Sequence, residues 1–462
     1  MTARRVHGLM ADNLEAVVMA IVMAILLKYF IVEAYKIPTG SMQPTLIGDE
    51  RSKIQDRILV DKISYVLRAP KRWEVCVFRY PLDRGKNFVK RIAGVGPEEL
   101  RIQYGDIWHR QPEEEWSVLR RPRSVQRSVW RRIDDDPKQM NPAWESISTQ
   151  TGVEWIIDGD RIEAHGRGTA KFKSRLPTIT DQYLDGYPPP LDVLISDAGK
   201  RSGNNTVGDL RLECKVTVLP DTRAIAVVIK EGKRHYRFTL PGPTSSDTAA
   251  PWIDADGNES LGIDDAPPAP PPYRFPAGEP VRFAVQNMDD LLEIEIEGKV
   301  VAAVEIDPAV IQTSSIYIEV EGDGATLDEL RVYRDIFYTS NGTRTIRVPE
   351  GEYFMLGDNT QESCDSREWR YQTLSLEEGE QIRGNMRRGE NPRMVGIGDP
   401  DGPTTYFVDE WGEPHWMKNS DIISRRTTPS PFVPREMIQG KAVAVFWPLD
   451  LRRDIFRIRW VN

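Results

Sequence analysis

Cysteine and histidine are scarce in this chain, and each shortage closes off a class of chemistry. The 462 residues hold three cysteines, Cys76, Cys214 and Cys364. An odd number, with no CxxC and no metal-ligand spacing, argues against both a disulfide framework and a thiolate metal centre. The five histidines lie at 7, 109, 165, 235 and 415, and none adjoins a segment with nucleophile chemistry, so a Ser-His-Asp triad has little support. A cationic excess is missing too. The net charge is −9, and a nucleic-acid backbone asks for a clustered basic face, so no nucleic-acid partner is expected.

Long apolar runs are absent but for one. Ala16 to Leu27 is uninterrupted, and the stretch Leu14 to Val32 admits only Glu15 and Lys28. Nineteen residues at ~1.5 Å each reach ~28 Å, enough for a hydrocarbon core, and Lys28 can snorkel outward. Arg4 and Arg5 before the segment favour an N-terminus in the cytoplasm. A buried core helix and a cleaved signal peptide are the rival readings; Lys28 and Glu33 spoil the end of the apolar region and favour a retained anchor over 14–34, with 1–13 cytoplasmic. At the other end, Arg452, Arg453, Arg457 and Arg459 stand amid Leu451, Ile455, Phe456 and Trp460. An ordinary last strand with solvated arginines is the plain reading, and contact with anionic lipid the sharper one.

Ser41 follows the apolar segment closely, in Ile37-Pro38-Thr39-Gly40-Ser41-Met42-Gln43-Pro44-Thr45-Leu46. Pro38 and Pro44 discourage helix on both sides, and Gly40 allows close backbone approach. A serine hydroxyl is inert until a base takes its proton. A lysine can do so only when neutral, and lowering its pKa by ~3 units costs ~4 kcal/mol, so it must be buried. In Asp56-Arg57-Ile58-Leu59-Val60-Asp61-Lys62, strand alternation puts Lys62 on the face of Ile58 and Val60. If that face looks inward, the amine is buried. Spacing alone leaves this pair a minority reading, since most such serines sit in turns and most such lysines in solvent.

The motifs go further. Pro38 to Leu46, Asp56 to Lys62, Phe88-Val89-Lys90-Arg91-Ile92-Ala93-Gly94-Val95-Gly96-Pro97 and Gly357-Asp358-Asn359-Thr360-Gln361-Glu362-Ser363-Cys364-Asp365-Ser366-Arg367 resemble, in order, four segments of the type I signal (leader) peptidases. Val433-Pro434-Arg435-Glu436, Gly440-Lys441-Ala442 and Phe446-Trp447-Pro448 resemble that family's closing strand. The resemblance implies a membrane-anchored serine endopeptidase of bacteria that removes signal peptides from exported preproteins with a Ser–Lys dyad. It implies Ser41 as nucleophile and Lys62 as general base. Thr39 and the Ser41 N–H would form the oxyanion hole; Ser363 would orient the base, and Asp365 and Arg367 would pair to buttress the site. No metal or other cofactor is expected. The expected partners are preproteins and the lipid bilayer, and the expected location is the cytoplasmic membrane, single-pass, with the catalytic domain outside. Gln55, Trp73-Glu74 and Arg370 depart from the pattern and bear on loop shape. Cys364, between Ser363 and Asp365, reads as a packing residue, with sensitivity to thiol reagents the alternative. The alternatives are a peptidase of this class with a narrow client set, or an inactive membrane-anchored binding protein.

The resemblance covers roughly 14–110, 345–372 and 431–462. Between lies a long insertion whose second half alternates with period 2, as in Leu210, Leu212, Cys214, Val216 and Val218. Strands are expected at 191–195, 209–218, 223–230, 234–240, 281–286, 291–297, 300–306, 315–321 and 328–338, which implies a β-sandwich over 190–340. Its order loosely resembles concanavalin A-like/laminin-G jelly rolls, folds that often take a glycan or protein ligand, although a fold does not establish function. Asp254-Ala255-Asp256-Gly257-Asn258 departs from a calcium loop in its glycine position and in Asp265, so it reads as a polar turn. The fold class is thus mainly β, with catalytic-core parts at 35–110, 341–372 and 431–462, and no structure assigned to 111–189 or to a second insertion, 373–430.

Overall fold

The computed structural model describes residues 17–23, 31–135, 143–149, 154–195, 203–256, 270–340, 345–377, 379–387, 390–396, 398 and 402–461. It is mainly β and divides into two compact units. One comprises Met1–Leu100, Arg110–Glu115 and Asn341–Asn462; the other Arg101–His109 and Trp116–Ser340.

Of the expected anchor, 14–34, residues 14–16 and 24–30 lie outside the described residues. Residues 17–23 are helical, with Val17, Met19, Ile21 and Met23 more than half exposed. Among the described residues no helix is long and apolar enough to cross a membrane. The far end of the expected span needs correcting. Val32–Lys36 is a strand, registered Val32↔Asp61 and Tyr35↔Ile58 against Arg57–Asp61. Glu33 and Lys36 alternate with Ala34 and Tyr35 there, and the unpaired edge takes up the chain before it could stay helical.

The first unit is built on a sheet ordered Val32–Lys36, Arg57–Asp61, Ile438–Trp447, Val75–Tyr80, Asp83–Val95, Glu352–Leu356, Phe432–Pro434. Apolar side chains fill both faces. One cluster gathers Met42, Ile58, Val60, Val77 and Val445. The other gathers Phe78, Tyr80, Ile92, Met355 and Trp369, where Tyr80 stacks on Phe88 at 4.2 Å and Trp369 meets Tyr80 edge-on at 5.2 Å. The segment 373–430 adds two small sheets, Gln381–Asn385/Arg370–Leu376/Ile422–Pro429 and Arg393–Val395/Thr404–Val408/Pro414–Lys418, around Leu374, Ile382, Phe407 and Met417.

The second unit is a two-sheet sandwich. One sheet runs Ile156–Asp158, Arg161–His165, Gly324–Arg334, Leu210–Val218, Val281–Met288, Leu291–Ile296, Lys299–Glu305. The other runs Trp144–Thr149, Gly168–Phe172, Ser314–Glu321, Ala224–Glu231, Arg234–Pro241, Trp252–Asp256. Their inner faces share one core that includes Trp144, Phe172, Phe238, Leu292 and Val332. Strands from 111–189 therefore belong to both sheets, and the sandwich begins well before residue 190. The strand expected at 191–195 is a single helical turn, Leu191–Leu194, following Pro188-Pro189-Pro190; Leu194 and Ile195 donate to the carbonyls of Pro190 and Leu191, which leaves no extended backbone to pair. The last strand runs Gly324–Arg334, not 328–338.

The C-terminal arginines are not uniformly solvated. Arg457 is 5% exposed and grips Asp56 with Nε and Nη2, both at 2.7 Å. Asp56 Oδ2 in turn accepts the Ile47 N–H at 2.8 Å, so the closing segment clamps the Ser41 loop. Arg457→Ala leaves Asp56 buried and unpaired, which should cost about 3–5 kcal/mol. Denaturant unfolding of the full chain should show a lower midpoint, and an unchanged midpoint would remove the clamp from this account.

Candidate active site

Ser41 sits in a one-turn 3-10 segment, Gly40–Met42, entered from extended Thr39. The turn closes with the Gln43 N–H on the Gly40 carbonyl at 3.0 Å. Two further bonds come from Asn359: its backbone N–H donates to the Ser41 carbonyl at 3.1 Å, and Nδ2 to the Gly40 carbonyl at 2.9 Å. Gly357 makes this approach possible. A Cβ there would lie 2.4 Å from the Ser41 carbonyl oxygen and 2.0 Å from Ser363 Oγ, well inside contact distance. The nucleophile loop and the Gly357–Arg367 segment are thus fitted backbone to backbone.

The expectation that Lys62 is buried does not hold. Its Nζ lies 3.3 Å from Glu33 Oε2, with the two side chains 32% and 38% exposed. The strand stops at Asp61, whose carboxylate accepts the N–H groups of Ile63 and Ser64 at 2.8 and 3.0 Å. Alternation therefore ends one residue before it could carry Lys62 inward beside Val60.

The buried amine is Lys90. It lies in the long strand Asp83–Val95, registered Cys76↔Lys90, and is 2% exposed. Burial pushes its pKa down to about 8, although Asp365 and Cys364 pull the other way. At that value about one amine in ten is neutral at pH 7, against fewer than one in a thousand for an exposed lysine. Lys90 and Ser41 line one cavity of about 800 Å³, together with Tyr35, Thr39, Phe88 and Cys364. Arg387, from 373–430, also reaches it.

Around the amine stands a sealed polar shell. Asp365 and Arg367 are paired at 2.8 Å, both wholly buried, and Asp365 Oδ2 accepts the Gly357 N–H at 3.0 Å. Burial would raise the Asp365 pKa, but Arg367 and Lys90 outweigh it and hold the carboxyl below its usual range. Ser363 is 4% exposed, and its Oγ has no hydrogen-bond partner among the described residues. The neighbouring Arg91 is fully buried against Asp358, with Nε and Nη2 at 2.8 and 2.7 Å, while the Thr45 hydroxyl donates to Asp358 Oδ2 at 2.6 Å.

Of the residues singled out from sequence, the structure brings Thr39 and Ser41 to the cavity and packs Asp365 and Arg367 beneath it, with Ser363 beside them. Lys62 stands apart. Lys90, Arg91, Asp358 and Asn359 were quoted within motifs and given no role. The available signal was a pair of cations, Lys90 and Arg91, flanked by Phe88, Val89 and Ile92, where a mid-strand cation must be buried or paired.

With this geometry described, comparison with known proteins is informative. The family described as "Signal peptidase, peptidase S26" has a model that matches residues 10–127 and 285–386. The chain is 40% identical over 100 residues to "Probable signal peptidase I-2" of Synechocystis, a match covering 20% of this chain and 43% of that protein. It is 38% identical over 89 residues to "Signal peptidase I" of Pseudomonas fluorescens, covering 17% and 29%. The matches therefore span less than two thirds of these relatives. Over these segments the chain is similar to signal peptidases. Among solved structures, "Apo Crh5 transglycosylase" aligns over 50% of this chain and 90% of its own at 11% identity and a TM-score of 0.28, too low to carry an argument.

Cys364 is exposed and lines the cavity, while Cys76 and Cys214 are buried. N-ethylmaleimide should therefore add one adduct to the folded chain, read by mass spectrometry. Partial desolvation of the Cys364 thiol by its surroundings raises its pKa, so labelling should quicken as pH rises and the thiolate forms. Two or three adducts on folded protein would contradict this.

Proposed function

We propose that this protein is a membrane-anchored serine endopeptidase that removes signal peptides from exported preproteins, with Ser41 as nucleophile and Lys90, in place of Lys62, as general base. The observation that carries the reading is one cavity lined by a serine hydroxyl and a fully buried, pKa-depressed amine. Neutral Lys90 takes the Ser41 proton as Oγ attacks the scissile carbonyl carbon. The resulting oxyanion is held by the Ser41 N–H and the Thr39 hydroxyl. Collapse expels the amine of the new N-terminus, which receives the proton from the Lys90 ammonium, and water then releases the acyl group by the same route. Ser363 orients the amine, and the Asp365–Arg367 pair keeps the floor beneath it rigid.

The anchor is read from the sequence as the apolar segment 14–31, which as a helix would reach about 27 Å. Its exposed apolar side chains support a lipid environment. The reading places the chain in a bacterial cytoplasmic membrane, single-pass, with the cavity outside. There it meets small-x-small cleavage sites as they emerge from the bilayer, and shared tethering raises effective concentration. The sandwich is assigned a separate glycan or protein ligand; a cavity of about 230 Å³ lined by Arg127, Arg211, Glu213, Glu295 and Arg331 supports that part.

Cleavage of a model preprotein in detergent tests the assignment. Lys90→Met should lose at least ~10²-fold in kcat/KM, the lower range for losing a general base, while Lys62→Met stays within a few-fold. Both should keep the wild-type circular dichroism. Because the base must be neutral, wild-type kcat/KM should climb with pH and level off above about 8. Full activity in Lys90→Met, or loss in a well-folded Lys62→Met, would sink the dyad as drawn.

A further inference from the structure

A second constellation lies in the sandwich unit. Four carboxylates converge there from distant positions. Asp106 opens the strand Asp106–Arg110, and Asp209 immediately precedes Leu210–Val218. Asp289 sits in the turn between Val281–Met288 and Leu291–Ile296, and Asp335 directly follows Gly324–Arg334. One oxygen from each lies within 4.8 Å of the others. Asp106, Asp289 and Asp335 are 6%, 2% and 1% exposed. The ion pairs seen there bring in a single guanidinium, that of Arg121, at 2.9 Å from Asp289 and 2.6 Å from Asp335. Among the described residues that guanidinium is the one ion-paired with the four acids, while Arg120 reaches Asp289 only through its backbone carbonyl, at 3.3 Å.

The carboxylates are not the only unspent donors. Asn287 is 2% exposed and donates Nδ2 to Glu231 at 2.7 Å, which fixes the orientation of its amide. Its Oδ1 has no hydrogen-bond partner among the described residues, and neither has Oδ1 of Asp335 or Oδ2 of Asp290. Asn287 and Asp290 line a cavity of about 20 Å³ together with Asp106, Asp209 and Glu231. Buried oxygens are rarely left unpaired, and that volume suits one small occupant.

We propose that this cluster is a calcium site that ties together the strand ends of the sandwich. Ligands 2.3–2.6 Å from a calcium ion place opposite oxygens about 4.6–5.2 Å apart, and the four carboxylate oxygens here lie within 4.8 Å of one another. An all-oxygen donor set suits a hard cation and lacks the nitrogen and sulfur that zinc prefers. Room for one occupant favours calcium over magnesium, which keeps several of its waters. Asp106, Asp209, Asp289 and Asp335 span much of the chain, so the ion would close contacts that no local segment can make. The peptidase reading plays no part in this inference.

The test uses the full chain in detergent, stripped with EDTA and titrated calorimetrically with calcium chloride alone, then magnesium chloride. The expected result is one calcium per chain, tighter than magnesium, with a rise in Tm at saturating calcium. Asp106→Asn should weaken calcium binding by at least about tenfold, the lower range for even an outer-sphere loss. Asp209→Asn should do the same and covers the case in which one variant misfolds, with circular dichroism as the control. No heat and no Tm change at millimolar calcium would overturn the proposal. So would calcium affinity unchanged in either well-folded variant, or equal affinity for magnesium.

Discussion

The Arg91–Asp358 ion pair is the contact on which the catalytic unit depends. Both side chains are wholly buried, a state tolerable only when charges cancel and the polar atoms are hydrogen-bonded. Here they are: Asp358 takes two bonds from Arg91 and a third from Thr45, and Arg91 Nη1 donates to the Trp73 carbonyl at 2.8 Å. One carboxylate thus gathers the Ser41 loop, the Lys90 strand and the Gly357 segment. Lys90 is next to Arg91 in sequence, Asn359 is next to Asp358, and Ser41 is four residues from Thr45. The mutual placement of hydroxyl and amine follows from that junction.

The connectivity explains how a large insertion is tolerated. The closing strand, Ile438–Trp447, lies between Arg57–Asp61 and Val75–Tyr80 in the sheet, so the core is complete only once the far end of the chain has arrived. Closing a long loop costs little more than closing a moderate one, because the entropy grows only with the logarithm of length. The inserted sandwich has its own continuous core and can meet its own ordering cost. The consequence is kinetic: non-local pairing of this kind is slow to form.

Much of the sandwich was legible because an antiparallel strand with one wet face writes its burial into the sequence with period 2. Leu210 to Val218 and Leu291 to Ile296 appear where alternation put them, within a residue or two. The strands at 144–149, 156–158, 161–165 and 168–172 were not legible. They are short, and their pairing partners lie far along the chain, so local pattern carries little of what stabilises them. Leu191–Leu194 shows the reverse error, an apolar run that the preceding prolines start as a helical turn.

The chain by itself determined the mainly β character, the location of the nucleophile segment and the motif order, because these rest on local spacing and residue type. Which lysine is buried was decided only by tertiary structure. Lys62 and Lys90 each have an apolar residue two positions before them, Val60 and Phe88, but one strand ends at an Asp61 cap and the other continues through the middle of a sheet. Burial depends on what packs from elsewhere, here Cys76 alongside and the Asp365–Arg367 pair beneath. The four aspartates of the sandwich obey the same rule: each is unremarkable in its own segment, and only folding brings one oxygen of each within 4.8 Å of the others.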